Sequence, residues 1–168
     1  MNLLPYPRSL KRRAGFYTLP ERGVLYLDPE LPRDTFLVPI AERLQSAAEL
    51  IGARLEVVTT PARHPRLAIR AERHSSARPH PEAYALDIST SGIRIRYGEK
   101  EGLRAAVATL HQLLREYGRR LPCLSMQDYP DFSRRGVMLD VSRGRVPKLQ
   151  TLLELVDHLA DFKINEFQ

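Results

Sequence analysis

The stretch YALDISTSGIRIRY, residues 84–97, constrains the fold of this chain more than any other part of the sequence. Large apolar side chains alternate with small or polar ones on both sides of the turn STSG. A period of two is typical of strands that bury one face and expose the other, and a glycine in the connection predicts a hairpin. We therefore expect a sheet with one open face, on which Arg94 and Arg96 are solvated surface groups.

Two other segments predict helices that can cover the buried face of such a sheet. Their apolar residues recur at spacings of four, three and four, which places them on one side of a helix. The residues are Ile40, Leu44, Ala47 and Ile51 in the first segment and Leu103, Val107, Leu110 and Leu114 in the second. The first helix is expected to begin at Pro39 and end at Gly52, and the second to span residues 100–117.

Short β-rich segments complete this first domain. Residues 15–19 and 23–27 predict two strands joined by a turn, and residues 54–60 and 66–72 predict two more. With the hairpin and the helices, they look like a complete layered domain. The expected fold class is α/β, in detail an α+β domain with a mixed, largely antiparallel sheet and two helices on one face.

Residues 119–132, RRLPCLSMQDYPDF, predict an extended linker, because Pro122 and Pro130 block helix formation. The first domain is accordingly assigned to residues 1–122 and a second domain to residues 128–168. The linker contains Cys123, the one cysteine of the chain, which excludes an internal disulfide. In its apolar setting we expect this cysteine to be a small buried side chain.

The second domain begins with the apolar run GVMLDVS, residues 136–142, which predicts a strand buried on both faces except at Asp140. A helix opened by Pro147 follows, and KINEFQ begins another strand at Lys163. The apolar residues of this helix, expected to form its inner face, are Leu149, Leu152, Leu153, Val156 and Leu159. So short a βαβ unit buries too little apolar surface to be stable alone, so we expect residues 129–168 to be poorly packed or to self-associate.

Composition excludes several functional classes. The net charge of +6 suggests a polyanion, but the arginines are scattered and aromatic residues make up only 7%, so no nucleic-acid partner is expected. The five histidines, at positions 64, 74, 80, 111 and 158, have no partner at a metal-ligand spacing, so no metal site is expected. No signal peptide and no apolar run of about 20 residues is present, which predicts a cytoplasmic protein without a membrane partner.

The segment DYPDFSRRGVMLDVSRGRVP, with LLELVDHLADFKINEFQ after it, resembles the first strand and helix of the catalytic barrel in glycoside hydrolase family 20, the β-N-acetylhexosaminidases. The matching positions are Phe132, Arg135, Gly136, Asp140, Ser142, Arg143, Lys163 and Asn165. Upstream, YALDISTSGIRIRYGEKEGLRAAVATLHQLL resembles the closing hairpin and helix of the α/β domain that precedes that barrel. The resemblance covers most of the chain.

This resemblance implies the start of a (β/α)₈ TIM barrel, truncated at residue 168, and a glycosidase that removes terminal N-acetylhexosamine from glycans. It implies a substrate-assisted retaining mechanism, in which the 2-acetamido oxygen of the sugar attacks the anomeric carbon. In the family an Asp orients that group, an adjacent Glu protonates the leaving oxygen, and no metal or organic cofactor takes part. No Asp-Glu dipeptide occurs in these 168 residues, so no catalytic residue is assigned and the chain alone is expected to be inactive.

One substrate contact is carried over from the family. Arg135 resembles the arginine that hydrogen-bonds the sugar 3- and 4-hydroxyls, for which a guanidinium fork is suited. The alternative is that Arg135 pairs with Asp140 or another carboxylate at the base of the barrel. Asp140 and Arg143 are expected to form an internal ion pair. Gly144 stands where relatives often have histidine, which leaves any site role of this turn open.

A second hypothesis remains beside the glycosidase. The α/β domain could act as a non-catalytic module that binds proteins or associates with glycans.

Overall fold

The computed structural model describes residues 1–28, 37–60, 64–74, 80–142, 144 and 146–168. They divide into two units, Met1–Tyr129 and Pro130–Gln168. The first unit therefore extends seven residues beyond the predicted boundary at residue 122. Each unit has its own sheet.

The sheet of the first unit contains seven strands in its described residues. They are β1 (Ser9–Thr18), β2 (Arg22–Leu27), β3 (Arg54–Val58), β4 (Leu67–Arg73), β5 (Tyr84–Ser89), β6 (Gly92–Tyr97) and β7 (Arg120–Asp128). Their spatial order is β1-β7-β5-β6-β4-β2-β3. The first three pairings in this order are antiparallel and the last three parallel. The mixed sheet is confirmed, with its two kinds of pairing equal in number.

The predicted hairpin is the centre of this sheet. Strands β5 and β6 pair antiparallel, with Tyr84 opposite Tyr97 and Ile88 opposite Ile93. Every second residue of each strand is buried, as the alternation predicted. The intervening positions, Arg94 among them, face away from the core.

Two helices cover the buried face. They are α1 (Leu37–Glu49) and α2 (Lys100–Tyr117), which contact each other as well as the sheet. The bounds of α2 agree with the prediction, and Gly118 follows it with a φ of 60° that glycine tolerates well. The predicted apolar stripe of α2 is buried at all four positions. In α1, Ile40, Leu44 and Ala47 are buried, whereas Ile51 lies beyond the end of the helix.

The predicted linker is wrong over most of its length. Residues 120–128 form β7, which lies between β1 and β5 and joins β1 to the rest of the sheet. Residues 15–118 therefore do not form a complete domain, because they do not include the inner strand β7. Pro122 is opposite Phe16 of β1 but lies beyond the pairing with β5, which covers only residues 124–128, so no N–H donor is needed on that side. Cys123 is buried within β7, as predicted.

Strands β1 and β2 exist but are not neighbours. Strand β1 lies at one edge of the sheet and pairs with β7, whereas β2 pairs with β3 and β4 at the other side. Residues 19–21 connect the two strands, and Leu19, which was predicted to end the first strand, is fully buried in this connection. Strand β1 also begins at Ser9, six residues before the predicted start.

The second unit consists of β8 (Gly136–Val137), α3 (Leu149–Asp161) and β9 (Glu166–Phe167). The two strands are parallel, as a βαβ unit requires. The strand predicted over 136–142 is much shorter, and Met138 and Val141 are 76% and 43% exposed. Among the described residues β8 pairs with β9 alone, so the ladder has no second partner to prolong it.

The predicted inner face of α3 is only partly correct. Leu152 and Leu159 are partly buried, and Leu155 joins them, while Leu149, Leu153 and Val156 are exposed. The exposed residues follow one another at spacings of four and three, which places them on one side of the helix. Helix α3 therefore has two apolar sides, of which its own unit covers one. We call Leu149, Leu153 and Val156 the exposed α3 stripe.

Candidate functional site

The parallel strands β8 and β9 give the second unit two chemically different ends. Arg135 precedes β8, and Asn165 precedes β9, so both lie at the amino ends of the strands. Asp140 and Ser142 follow β8 and lie at the carboxyl end. In barrel enzymes the active site forms at the carboxyl ends of the strands. The residues of the predicted motif are therefore divided between the two ends of the strands. Those at the carboxyl end lie where a barrel enzyme binds its substrate.

Arg135 is held by the backbone around it. Its Nε donates to the Lys163 carbonyl at 2.9 Å, and its Nη1 donates to the Phe132 carbonyl. Its own backbone N–H donates to Asn165 Oδ1 at 2.8 Å. These contacts support a role in positioning the chain where β8 and β9 begin. Sugar binding by Arg135 stays a prediction.

Asp140 bonds to its own turn. Its Oδ1 accepts the backbone N–H of Ser142 at 2.8 Å and the Ser142 hydroxyl at 2.5 Å. These two bonds hold the pKa of the Asp140 carboxyl below its usual range. Among the described contacts Asp140 does not pair with Arg135, which was one alternative. The predicted ion pair with Arg143 falls on a residue outside the described ones.

A third contact of this unit could not be predicted from the sequence. Arg134 Nε and Nη2 donate to the two carboxylate oxygens of Glu166, at 2.5 and 3.2 Å. The guanidinium hydrogen bonds lower the pKa of the Glu166 carboxyl, and the pair raises the pKa of Arg134. Glu166 lies directly beside Gly136 in the parallel ladder, so strand register brings the two charges together. The pairing register of β8 and β9 cannot be predicted from a single glutamate in the sequence.

In the first unit, a buried hydrogen-bonded group joins sheet and helix. The Tyr84 hydroxyl lies 2.6 Å from Thr109 Oγ1 on α2 and donates to Asp128 Oδ2 at 3.3 Å. Burial, with the nearby Asp128 charge, raises the pKa of Tyr84. Tyr84 and Asp128 also line a cavity of about 260 Å³ beside Tyr97 and Tyr129. The described contacts give these groups a structural explanation, since β5, α2 and β7 meet there.

Across the described ranges, no three His, Cys, Asp or Glu side chains are grouped so that they could hold a metal ion. No helix in the described part of the chain is long and apolar enough to cross a membrane.

Curated relatives of this chain are glycosidases. N,N'-diacetylchitobiase from Vibrio harveyi is 29% identical over 171 residues, which cover 98% of this chain and 17% of that protein. A beta-hexosaminidase from Vibrio furnissii is 38% identical over 87 residues, or 51% of this chain and 14% of that protein. The aligned residues thus span only 14% and 17% of the length of these two relatives.

Solved structures match both units of the chain. The exo-β-N-acetylglucosaminidase of glycosyl hydrolase family 20 from Vibrio harveyi, in complex with N-acetylglucosamine, superposes with a TM-score of 0.77 at 25% identity, covering 98% of this chain and 24% of that one. The N-acetyl-β-hexosaminidase of Streptomyces plicatus gives a TM-score of 0.76 at 23% identity, covering 98% and 33%. At 23% identity, this second match shows a shared fold only.

The family itself follows from the match of residues 1–129 to Glycosyl hydrolase family 20, domain 2. This range coincides with the first structural unit, Met1–Tyr129. It includes β7, the strand that composition alone assigned to a linker. Because this match covers well over half of the 168 residues, the chain belongs to glycosyl hydrolase family 20.

Proposed function

We propose that these 168 residues are a part of a β-N-acetylhexosaminidase, comprising domain 2 of the family and the first βα unit of the catalytic barrel. The observation that carries the proposal is the superposition on the Vibrio harveyi enzyme over 98% of the chain, which includes residues beyond domain 2. The parallel pairing of β8 and β9 around α3 supports the barrel assignment.

The exposed α3 stripe supports the same assignment. A barrel helix packs on its own strands and also on the helices beside it, so it needs apolar residues on more than one side. Leu149, Leu153 and Val156 are 71%, 52% and 46% exposed within the chain. In a barrel, the next helix would cover them.

The proton donor of the reaction lies, in this proposal, outside the 168 residues. A general acid needs a carboxyl whose pKa is raised beside the scissile bond. The two carboxylates beside β8 and β9, Asp140 and Glu166, have pKa values that are lowered instead. We propose that the whole protein acts on glycans ending in N-acetylhexosamine and that the chain alone has no hydrolase activity.

A chimera tests the proposal. The aligned segment of the Vibrio harveyi exo-β-N-acetylglucosaminidase is replaced either by residues 1–168 or by residues 1–129, the host supplying the rest. We expect both chimeras to hydrolyse an aryl N-acetyl-β-glucosaminide, because each would contain a complete barrel. A folded but inactive 1–168 chimera beside an active 1–129 chimera would contradict the barrel assignment of residues 130–168.

The same chimera separates the two roles of Arg135. If Arg135 binds the sugar, Arg135→Gln raises KM while the folded fraction is unchanged. If it only positions the backbone, the variant loses folded protein while KM of the remainder stays constant. Arg134→Gln is the matched control, since it removes a neighbouring guanidinium of the same unit.

A further inference from the structure

Cationic side chains collect on the face of the sheet that the helices leave open. One row of residues runs in register across five strands: Lys11, Ser125, Asp87, Arg94 and Arg70. Strands lie about 4.8 Å apart, so the row extends over roughly 19 Å from β1 to β4. Arg13 and Arg96 flank it, because both approach Asp87. We call Lys11, Arg13, Arg70, Arg94 and Arg96 the arginine face.

Two carboxylates lie among these five cations, and each is shared. Asp87 accepts Arg96 Nη2 at 2.8 Å and the Ser125 hydroxyl at 2.6 Å, and Arg13 Nη2 lies 3.7 Å away. Glu72 accepts Arg70 Nη1 at 2.7 Å, with Arg94 Nε at 3.9 Å. The five cations of the arginine face thus outnumber these two carboxylates by three.

Several guanidinium donors on this face are not committed to the protein. Arg94 is 61% exposed at its side chain, and its described ion pair is the long one to Glu72. A guanidinium offers five donors, so the shared carboxylates leave most of them unused.

A hollow of about 490 Å³ lies over this part of the sheet. Four arginines of the arginine face line it, together with Ser89 and Ser91, whose hydroxyls are 2.9 Å apart. The lining thus combines positive charge with hydroxyl groups. Such a surface suits a ligand that carries both anionic groups and hydroxyls.

We propose that the arginine face binds an anionic polysaccharide, a glycan chain bearing sulfate or carboxylate groups. Guanidinium forks pair with such groups in a planar, two-point geometry. The length of the row suits an extended chain better than a small anion. A glycan also fits a domain of a glycosyl hydrolase family, where the site would hold an acidic polymer near the enzyme. The inference rests on family membership and does not require the proposed catalytic function.

The described structure favours a glycan over a nucleic acid. Proteins that bind single-stranded nucleic acids use exposed aromatic rings on which bases stack. The aromatic residue in register with this row, Tyr26, is only 6% exposed, and the Arg70 guanidinium lies 5.2 Å from its ring centroid. The row itself holds cations and a serine but no exposed aromatic ring. The exposed ring of β1, Phe16, lies outside the row and has the Arg120 guanidinium 3.8 Å from its centroid.

The test is calorimetric titration of the 168-residue chain at physiological salt. The probes are a heparin oligosaccharide for sulfate, a polygalacturonate oligosaccharide for carboxylate, a chitin oligosaccharide as neutral sugar and a short DNA. We expect one or both acidic glycans to bind and the neutral one not to. The acidic glycan that binds more tightly identifies the anionic group, sulfate or carboxylate, that the arginine face prefers.

Paired variants locate the site. Arg13→Gln with Arg94→Gln removes two exposed cations from the arginine face and should weaken glycan binding roughly tenfold or more. Arg104→Gln with Arg115→Gln, on the exposed side of α2, removes the same charge and should leave affinity unchanged. Glu72→Gln, which frees Arg70, should strengthen binding. This gain cannot come from a damaged fold.

Three results would overturn the proposal. One is that neither acidic glycan binds the unmodified chain. Another is that the face variant and the α2 variant lose affinity equally. The third is that DNA binds as tightly as the better glycan, which would assign the surface to nucleic acid or to polyanions in general.

Discussion

Arg135 and Asn165 bond to each other twice, side chain to backbone and backbone to backbone. The Arg135 N–H donates to Asn165 Oδ1 at 2.8 Å, and the Asn165 N–H donates to the Arg135 carbonyl at 3.0 Å. The Asn165 side-chain amide also donates to the Ser133 carbonyl at 2.7 Å. One asparagine thereby joins the segments that lead into β8 and β9.

We predict that Asn165→Ala loosens the second unit. The substitution leaves the Arg135 N–H and the Ser133 carbonyl without their described partner, which should cost about 1–2 kcal/mol of local stability. Amide hydrogen exchange should accelerate at Arg135 and Glu166 and stay unchanged in the first unit. Gln150→Ala, which removes an exposed side-chain contact on α3, is the control. Equal exchange in both variants would show that Asn165 does not organise the strands.

A second prediction concerns the buried tyrosine of the first unit. Tyr84→Phe removes the hydroxyl that joins Thr109 and Asp128, leaving two buried polar groups less satisfied. We expect the free energy of unfolding to fall by about 1–2 kcal/mol, measured by urea denaturation. Tyr6→Phe should change it very little, because Tyr6 is 65% exposed. Equal stability of the two variants would make the hydroxyl network energetically unimportant.

The exposed α3 stripe predicts concentration-dependent self-association of the chain. Apolar area that its own unit does not cover favours contact with another copy. In sedimentation velocity, the 168-residue chain should associate as concentration rises, whereas residues 1–129 should stay monomeric. Leu153→Gln with Val156→Gln should suppress association, and Glu154→Gln on the same helix should not. A sedimentation coefficient of the 168-residue chain that does not change with concentration would contradict this prediction.

The ion pair between Arg134 and Glu166 predicts a dependence on pH. Because the folded pKa of Glu166 is lowered, its contribution to stability is present above the unfolded pKa of about 4.3. That contribution is lost as pH falls through the folded pKa. An NMR titration should give a Glu166 pKa below its usual value, and Arg134→Gln should return it toward that value. An unchanged titration in the variant would mean that the pair does not persist in solution.

Local periodicity accounts for the parts of the fold that the sequence predicted well. The alternation in β5 and β6 and the stripe of α2 depend on residues close together in the chain, so each could be recognised on its own. Strand β7 could not be recognised in this way. Its pairing with β1 and β5 is non-local, and a proline such as Pro122 is typical of a linker. Sheet order is not written in any one segment, so the placement of β1 and β2 toward opposite sides of the sheet could not be predicted.

The candidate site was less predictable than the fold. The motif around Arg135 was recognisable, but the acceptors of its guanidinium are main-chain carbonyls, which have no sequence signature. The arginine face had a partial signal, since alternation directs Arg94 and Arg96 outward. Their convergence with Arg13 and Arg70 depends on strand order. The exposed side of α3 could not be foreseen, because exposure depends on what packs beside the helix.

The most direct test of the central claim is the hydrolysis of an aryl N-acetyl-β-glucosaminide by the purified 168-residue chain. The claim is that this chain holds domain 2 and the first barrel unit of a hexosaminidase but not its proton donor. We predict no release of the aryl alcohol above the rate in buffer, even at high protein concentration. Turnover by the chain that Asp140→Asn or Glu166→Gln abolishes would contradict the claim, because the acid would then lie within these residues.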